Sequence, residues 1–273
     1  MKKPVAIQLY SVREQCEKDF PGTLTELKRM GYNGVEFAGL YGYTAKEVKV
    51  LLKDIGLTPI SAHVSYEDMT TKTEQMISDY SEIGVKYIGI PYLVEEHRPG
   101  GAKYAETIAS MKELSTLLKA KGIQLLYHNH DFEFTKIDGK YMLDILYTDL
   151  SKDELQTELD LCWVAVGGEN PANYLRKYSG RAPVVHFKDF YIEGQTGAKL
   201  YDLIGIDDNK PADKSTFEYR PIGTGLQDIG AMLKAVDDAG CEWIIIEQDE
   251  PTASKPYSRL ECAEISIINL KKY

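Results

Sequence analysis

Leu125–Phe134, LLYHNHDFEF, is an apolar run that ends abruptly in polar side chains. Leu125, Leu126 and Tyr127 read as a buried strand, with His128, Asn129, His130, Asp131 and Glu133 delivered at its C-terminal end. Barrel enzymes keep their chemistry at that end. Because strand side chains alternate between faces, His128 and His130 are expected on one side, Tyr127 and Asn129 on the other. Two imidazoles on one face call for partners, either core hydrogen-bond neighbours or something bound.

Outward from this stretch the same unit recurs in both directions. Towards the N-terminus lie the apolar runs Val5–Tyr10, Gly34–Phe37, Thr58–Val64 and Tyr87–Tyr92. Between them, Leu24, Leu27 and Met30 recur at helical spacing before Gly31, and Thr44 with Glu47 forms a capping box ahead of Val48, Leu51, Leu52 and Ile55. Thr71 with Glu74 predicts another capped helix ending at Gly84, and Tyr104 to Leu118 a long one closing at Gly122. Towards the C-terminus the spacing predicts a helix in Tyr141–Leu150, a strand within Leu155–Val166, a short helix at Pro171–Tyr178 and a strand in Ala182–Phe190. Residues 191–222, rich in Gly, Asp, Lys and Pro, exceed an ordinary connection and read as a lid loop. A helix from Leu226 to Gly240, a strand at Trp243–Ile246 and a helix at Tyr257–Leu270 complete the chain.

Eight strands alternating with helices predict one closed (β/α)8 TIM barrel spanning residues 1–273. A doubly wound open sheet is the alternative, but no GxGxxG follows the first strand. With 43% hydrophobic residues, the 273-residue chain can bury a full core. Its net charge of −10 and pI near 5.1 argue against a nucleic-acid partner. Cys16, Cys162, Cys241 and Cys262 show no CxxC spacing and read as reduced thiols. No uncharged membrane span or cleavable leader is visible, so a cytoplasmic protein is expected. No pattern fixes the oligomeric state, and self-association is compatible with all of them.

If the strands close, their C-terminal ends gather Gln8, Glu36, His63, His128 with His130, Asp160, His186 with Lys188, and Glu247 with Asp249. His128, Asp160, His186 and Glu247 fall at equivalent depths on strands five to eight, a mixed set that suits Mn²⁺, Mg²⁺, Co²⁺ or Zn²⁺. Each has a structural alternative: Asp160 a helix cap, His186 a core imidazole, Lys188 an ion pair with Asp189. His130 could replace His128 as ligand.

These motifs carry a resemblance. Through HNH on strand five, ELD on strand six, HFKD on strand seven and IEQD on strand eight, essentially the whole chain is similar to the sugar phosphate isomerase/epimerase superfamily, with its xylose isomerase-like barrel. Inosose dehydratases and endonuclease IV share that barrel. The resemblance implies one divalent metal, Mn²⁺ foremost, held by His128, Asp160, His186 and Glu247. Many epimerases have glutamate where this chain has His128, a departure that turns the reading towards dehydratases and lyases of keto-sugars or keto-inositols.

The expected activity is therefore that of a metal-dependent isomerase or epimerase on a sugar or keto-sugar. It proceeds by proton removal next to a carbonyl through a metal-stabilised enediolate, with β-elimination as the alternative. Glu247, His130 and Lys188 are the acid/base candidates, and Gln8, Glu36, His63, Trp163 and Asp249 the substrate contacts. An inactive sugar-binding barrel and an abasic-site endonuclease are the rivals; the second calls for a metal cluster and a basic groove, against five histidines and net negative charge.

Overall fold

Each apolar run pairs in parallel with its neighbours, and the eighth returns to the first. The computed structural model describes residues 3–193 and 216–273. Its barrel strands are β1 (Val5–Gln8), β2 (Gly34–Phe37), β3 (Thr58–His63), β4 (Tyr87–Ile90), β5 (Gln124–His128), β6 (Gln156–Asp160), β7 (Val184–Phe187) and β8 (Trp243–Ile246), closed in sequence order. Helices on the outside cover the strands, and the main core lies between the two. The anticipated (β/α)8 barrel is the architecture observed.

Strand alternation sends every second side chain into the barrel, and the interior is layered by it. Ala6, Ile60, Tyr87, Leu126, Val184 and Ile245 form an apolar plug at the N-terminal end. One step along each strand the interior turns polar: Gln8, Glu36, His128, Glu158 and His186 are all buried. Gly89 on β4 faces this layer. A Cβ there would meet Glu158 Oε2 at 2.8 Å, so a residue without a side chain leaves the carboxylate its room.

Local signals explain most helix boundaries. The helix Ala45–Ile55 starts at the Thr44/Glu47 capping box, with both reciprocal bonds formed. The helix Phe20–Met30 stops at Gly31, whose φ of 99° continues the chain in the left-handed region. The expected cap at Thr71 is corrected. Thr71 ends a short helix, Tyr66–Thr71, that Ser65 caps, and the next helix runs Thr73–Ile83 without a side-chain cap. Thr71 Oγ1 donates to Glu67 O at 2.7 Å, so the hydroxyl is already engaged in the preceding turn.

The connection after β7 also differs from the uninterrupted loop expected at 191–222. Asp189–Glu193 pairs antiparallel with Thr216–Arg220, while positions 194–215 of the expected lid lie outside the described residues. The ribbon has a firm base. The Asp189 carboxylate accepts backbone N–H groups from Phe190, Gly223, Gly225 and Gln227 at 2.9–3.1 Å. All four cysteines are buried and unpaired. Among the described residues no helix is long and apolar enough to cross a membrane.

Candidate metal centre

Asp160 shows how the strands build the site. It is the last residue of β6 and the N-cap of the helix Leu161–Val166, so its two oxygens divide their work. Oδ1 accepts from Cys162 N at 2.8 Å and Trp163 N at 3.2 Å. Oδ2 has no hydrogen-bond partner and lies 3.6 Å from His128 Nε2 and 3.2 Å from Lys188 Nζ. The cap therefore leaves one aimed carboxylate oxygen free. Asn129, just past β5, holds the end of β6 in place: its Oδ1 accepts from Asp160 N at 3.0 Å and its Nδ2 donates to Asp160 O at 3.4 Å.

His128, Asp160, His186 and Glu247 each offer an atom within 4.8 Å of the others. Ligands at about 2.0–2.3 Å from one divalent ion lie at such separations. The fit holds on chemistry too, with two imidazoles and two carboxylates, and Asp160 Oδ2 meeting only charged or imidazole neighbours, Lys188 and His128. His186 Nδ1 is 2.9 Å from Glu247 Oε2, and its Nε2 is 2.8 Å from Glu36 Oε1. Lys188, placed just past β7 and 1% exposed, points its ammonium at Asp160 (3.2 Å), Glu247 (3.0 Å) and Asp249 (3.0 Å). The expected pairing of Lys188 with Asp189 is not formed; Asp189 is consumed by backbone amides instead.

Burial sets the protonation states and charged neighbours modify them. Burial disfavours the charged lysine, but Asp249, Glu247 and Asp160 outweigh it and hold Lys188 well above the usual ammonium range. Burial raises Glu247, yet Lys188 and His186 hold it below the usual carboxylate range. Asp160 is pushed up to about 6 by burial, against the pull of Lys188 and His186. Burial with the Lys188 charge drives His130 well below the ordinary imidazole value, and burial with the neighbouring imidazoles does the same for His128. Both are neutral near pH 7, and His130 Nδ1 and His128 Nδ1 lack hydrogen-bond partners.

A cavity of about 370 Å³ opens above, walled by Gln8, His63, His128, His130, Lys188, Glu247 and Asp249, with Tyr10 and Tyr92 also on its wall. The structure thus brings most of the candidate residues together and separates two. Glu36 is fully buried beneath the cavity, accepting from Gln8 Nε2 at 2.7 Å and Ser61 Oγ at 2.5 Å. Trp163 is 1% exposed under the ribbon, its ring parallel to Phe217 at 6.1 Å, and it borders Lys188 rather than the cavity. Neither lines the cavity. Gln8 lines the cavity but has both amide ends committed, to Glu36 and to Tyr10 N at 3.0 Å.

Sequence reasoning gave no role to Glu158 and named Glu133 only among the polar residues at the end of β5. Glu158 stands two residues before Asp160 on the same face of β6, and strand alternation was the signal that could have found it. It contacts His63 Nε2 at 2.6 Å. Glu133 braces the turn after β5, accepting from Tyr127 Oη at 2.6 Å and His130 N at 2.8 Å, and burial pushes it up to about 8.

Comparison with known proteins agrees with this architecture. The sequence model of a family described as xylose isomerase-like TIM barrel matches residues 24–262. The inosose dehydratase of Clostridium beijerinckii is 23% identical over 269 residues, covering 88% of this chain and 86% of that protein. A sugar phosphate isomerase/epimerase from Parabacteroides distasonis superposes with a TM-score of 0.77 at 21% identity, covering 99% of this chain and 98% of that one. An IolI protein described with a bound zinc atom superposes with a TM-score of 0.72 at 16% identity, covering 99% of each chain.

Proposed function

The chain belongs to the xylose isomerase-like TIM barrel family, and from that premise we propose that it is a divalent-metal-dependent enzyme that removes a proton next to the carbonyl of a sugar or keto-sugar, as an isomerase or epimerase. The observation that carries this reading is the convergence of His128, Asp160, His186 and Glu247 within 4.8 Å, bordered by neutral His130 and cationic Lys188. Those four residues would hold the metal, and a structural neighbour of the same fold is described with a bound zinc atom. Mn²⁺ is the foremost candidate, since two carboxylates beside two imidazoles shift the set towards a harder ion. When bound, the ion supplies Lewis-acid stabilisation of the negative charge that develops as the proton leaves.

The remaining work falls to the chain's own side chains. His130, on the cavity wall and held neutral by burial, takes the proton and returns it. Lys188 stays protonated and donates hydrogen bonds to a substrate oxygen on which charge accumulates. Glu247, held ionised beside Lys188 and His186, is the second acid/base candidate. His63 and Asp249 edge the cavity and can accept or donate to hydroxyls. The cavity, about 370 Å³, suits a monosaccharide-sized ligand.

Elimination of a β-oxygen, as in a dehydratase, is the second reading. The inosose dehydratase relatives, aligned over 88% of the chain, favour it, as does a histidine at the end of β5. One experiment separates the two. The Mn²⁺-loaded protein is incubated with a panel of ketoses and keto-inositols in D₂O and followed by NMR and mass spectrometry. Deuterium at the carbon next to the carbonyl without loss of mass supports isomerisation or epimerisation, and loss of water supports dehydration. No exchange and no elimination on any member would sink both.

A further inference from the structure

The two histidines of the candidate centre face two layers of acid, one on each ring nitrogen. His128 Nε2 faces Asp160 while its Nδ1 lies 3.8 Å from Glu158 Oε2. His186 Nδ1 faces Glu247 while its Nε2 lies 3.6 Å from Glu158 Oε1. His63 closes the deeper side, with Nε2 2.6 Å from Glu158 Oε2. We propose that His63, His128, Glu158 and His186 form a second cation position, one layer deeper in the barrel than the first, that takes a nitrogen-preferring divalent ion such as Zn²⁺ or Co²⁺.

Three observations support it. Each of the four residues offers an atom within 4.8 Å of the others. His128 Nδ1 and Glu158 Oε1 have no hydrogen-bond partner, although their residues are at most 2% exposed; buried polar atoms are seldom left so. Charge also balances. Glu36 lies 2.8 Å from His186 Nε2 and 3.4 Å from His63 Nε2, so with neutral imidazoles this layer holds two carboxylates. Among the described residues no lysine or arginine pairs with either, and a dication matches them. His63 and His128 line the cavity, which gives an ion its route.

The donor sets differ in kind. Three nitrogens and one oxygen suit Zn²⁺ or Co²⁺, whereas the two carboxylates of the upper set shift it towards Mn²⁺ and Mg²⁺. A neutral imidazole has one free lone pair, so His128 and His186 each serve one ion at a time. The two positions are therefore alternatives for a single ion, and the ion's identity selects the layer. This inference rests on the proposed upper set only for that competition.

Zinc-loaded crystals of the full chain test it, with anomalous difference maps at the zinc edge for Glu247→Gln and, as a second isosteric variant, Asp160→Asn. The expected result is one zinc within bonding distance of His63 and Glu158 in both, absent when His63→Asn is added. Cobalt absorption in solution counts the ion independently, with retention in the single variants and loss in the doubles. Zinc still beside position 160 or 247, or no ion in the folded single variants, overturns the inference. Mn²⁺ in the upper set of the parent with no deep ion in either variant would overturn it while leaving the proposed function intact. A deep ion with an upper set that never fills would do the reverse.

Discussion

The upper and deeper acidic layers of this barrel lie one strand step apart and are neutralised differently. In the upper layer Asp160, Glu247 and Asp249 surround the Lys188 ammonium at 3.0–3.2 Å. In the deeper layer Glu36 and Glu158 meet Gln8, Ser61, His63 and His186, none of which carries a permanent positive charge. An acid cluster with a built-in lysine remains intact without a metal, and its cation can turn to a substrate when an ion takes over the carboxylates. A cluster balanced only by imidazoles depends on protons or on a bound ion. The burial cost of each layer is met by a different partner, a lysine in the upper one and imidazoles in the deeper one.

The sharpest break in that comparison comes from the upper layer. Glu247→Gln is expected to lower kcat by on the order of 10²–10⁴-fold on whichever keto-sugar the D₂O panel identifies, with the fold retained by circular dichroism. Turnover within a few-fold of the parent would remove Glu247 from the chemistry.

Lys188→Met probes the internal cation. It leaves three buried carboxylates without their lysine, so denaturant unfolding of metal-free protein should show a loss of about 3–5 kcal/mol. Saturating Mn²⁺ should recover part of it. An equal loss with and without metal would show that ion and lysine do not share the same carboxylates.

Glu133 stands outside both layers and serves as the control for pH. Its folded value of about 8 lies above the ordinary 4.5, because burial outweighs the bonds from Tyr127 and His130. Its favourable contribution is therefore complete below about 4.5 and is lost as pH rises towards about 8. Glu133→Gln mimics the protonated form, so the stability difference between variant and parent should move in the variant's favour by on the order of a few kcal/mol between pH 5 and 8. Parallel pH profiles for the two proteins would contradict this.

The smallest effect expected is at Asn129→Ala. Losing the two bonds that tie Asp160 to β5 should cost roughly 1–2 kcal/mol of stability and on the order of tenfold in Mn²⁺ affinity. Titration calorimetry that finds unchanged affinity would detach β6 placement from ion binding.

The sequence made the barrel legible because its signals are local and periodic: β2 and β8 match their apolar runs residue for residue, and Thr44, Gly31 and Gly84 mark helix ends. The upper cluster was legible because each of its members ends an apolar strand. What escaped depends on contacts between distant segments. Glu158 looked like part of an ordinary strand until His63 from β3 met it, 95 residues away in sequence. Trp163 near a strand end read as a sugar shelf, but the ribbon returning through Phe217 and Tyr219 covers it. Thr71 had the spacing of a cap, and a neighbouring turn had already engaged its hydroxyl.

The most direct measurement is divalent-metal content by mass spectrometry after loading and desalting, on the parent and on His186→Ala, the one substitution besides His128 that strips both layers at once. About one equivalent is expected in the parent and its loss in folded His186→Ala. A parent that retains no metal under any loading, or a variant that retains as much as the parent, would contradict it.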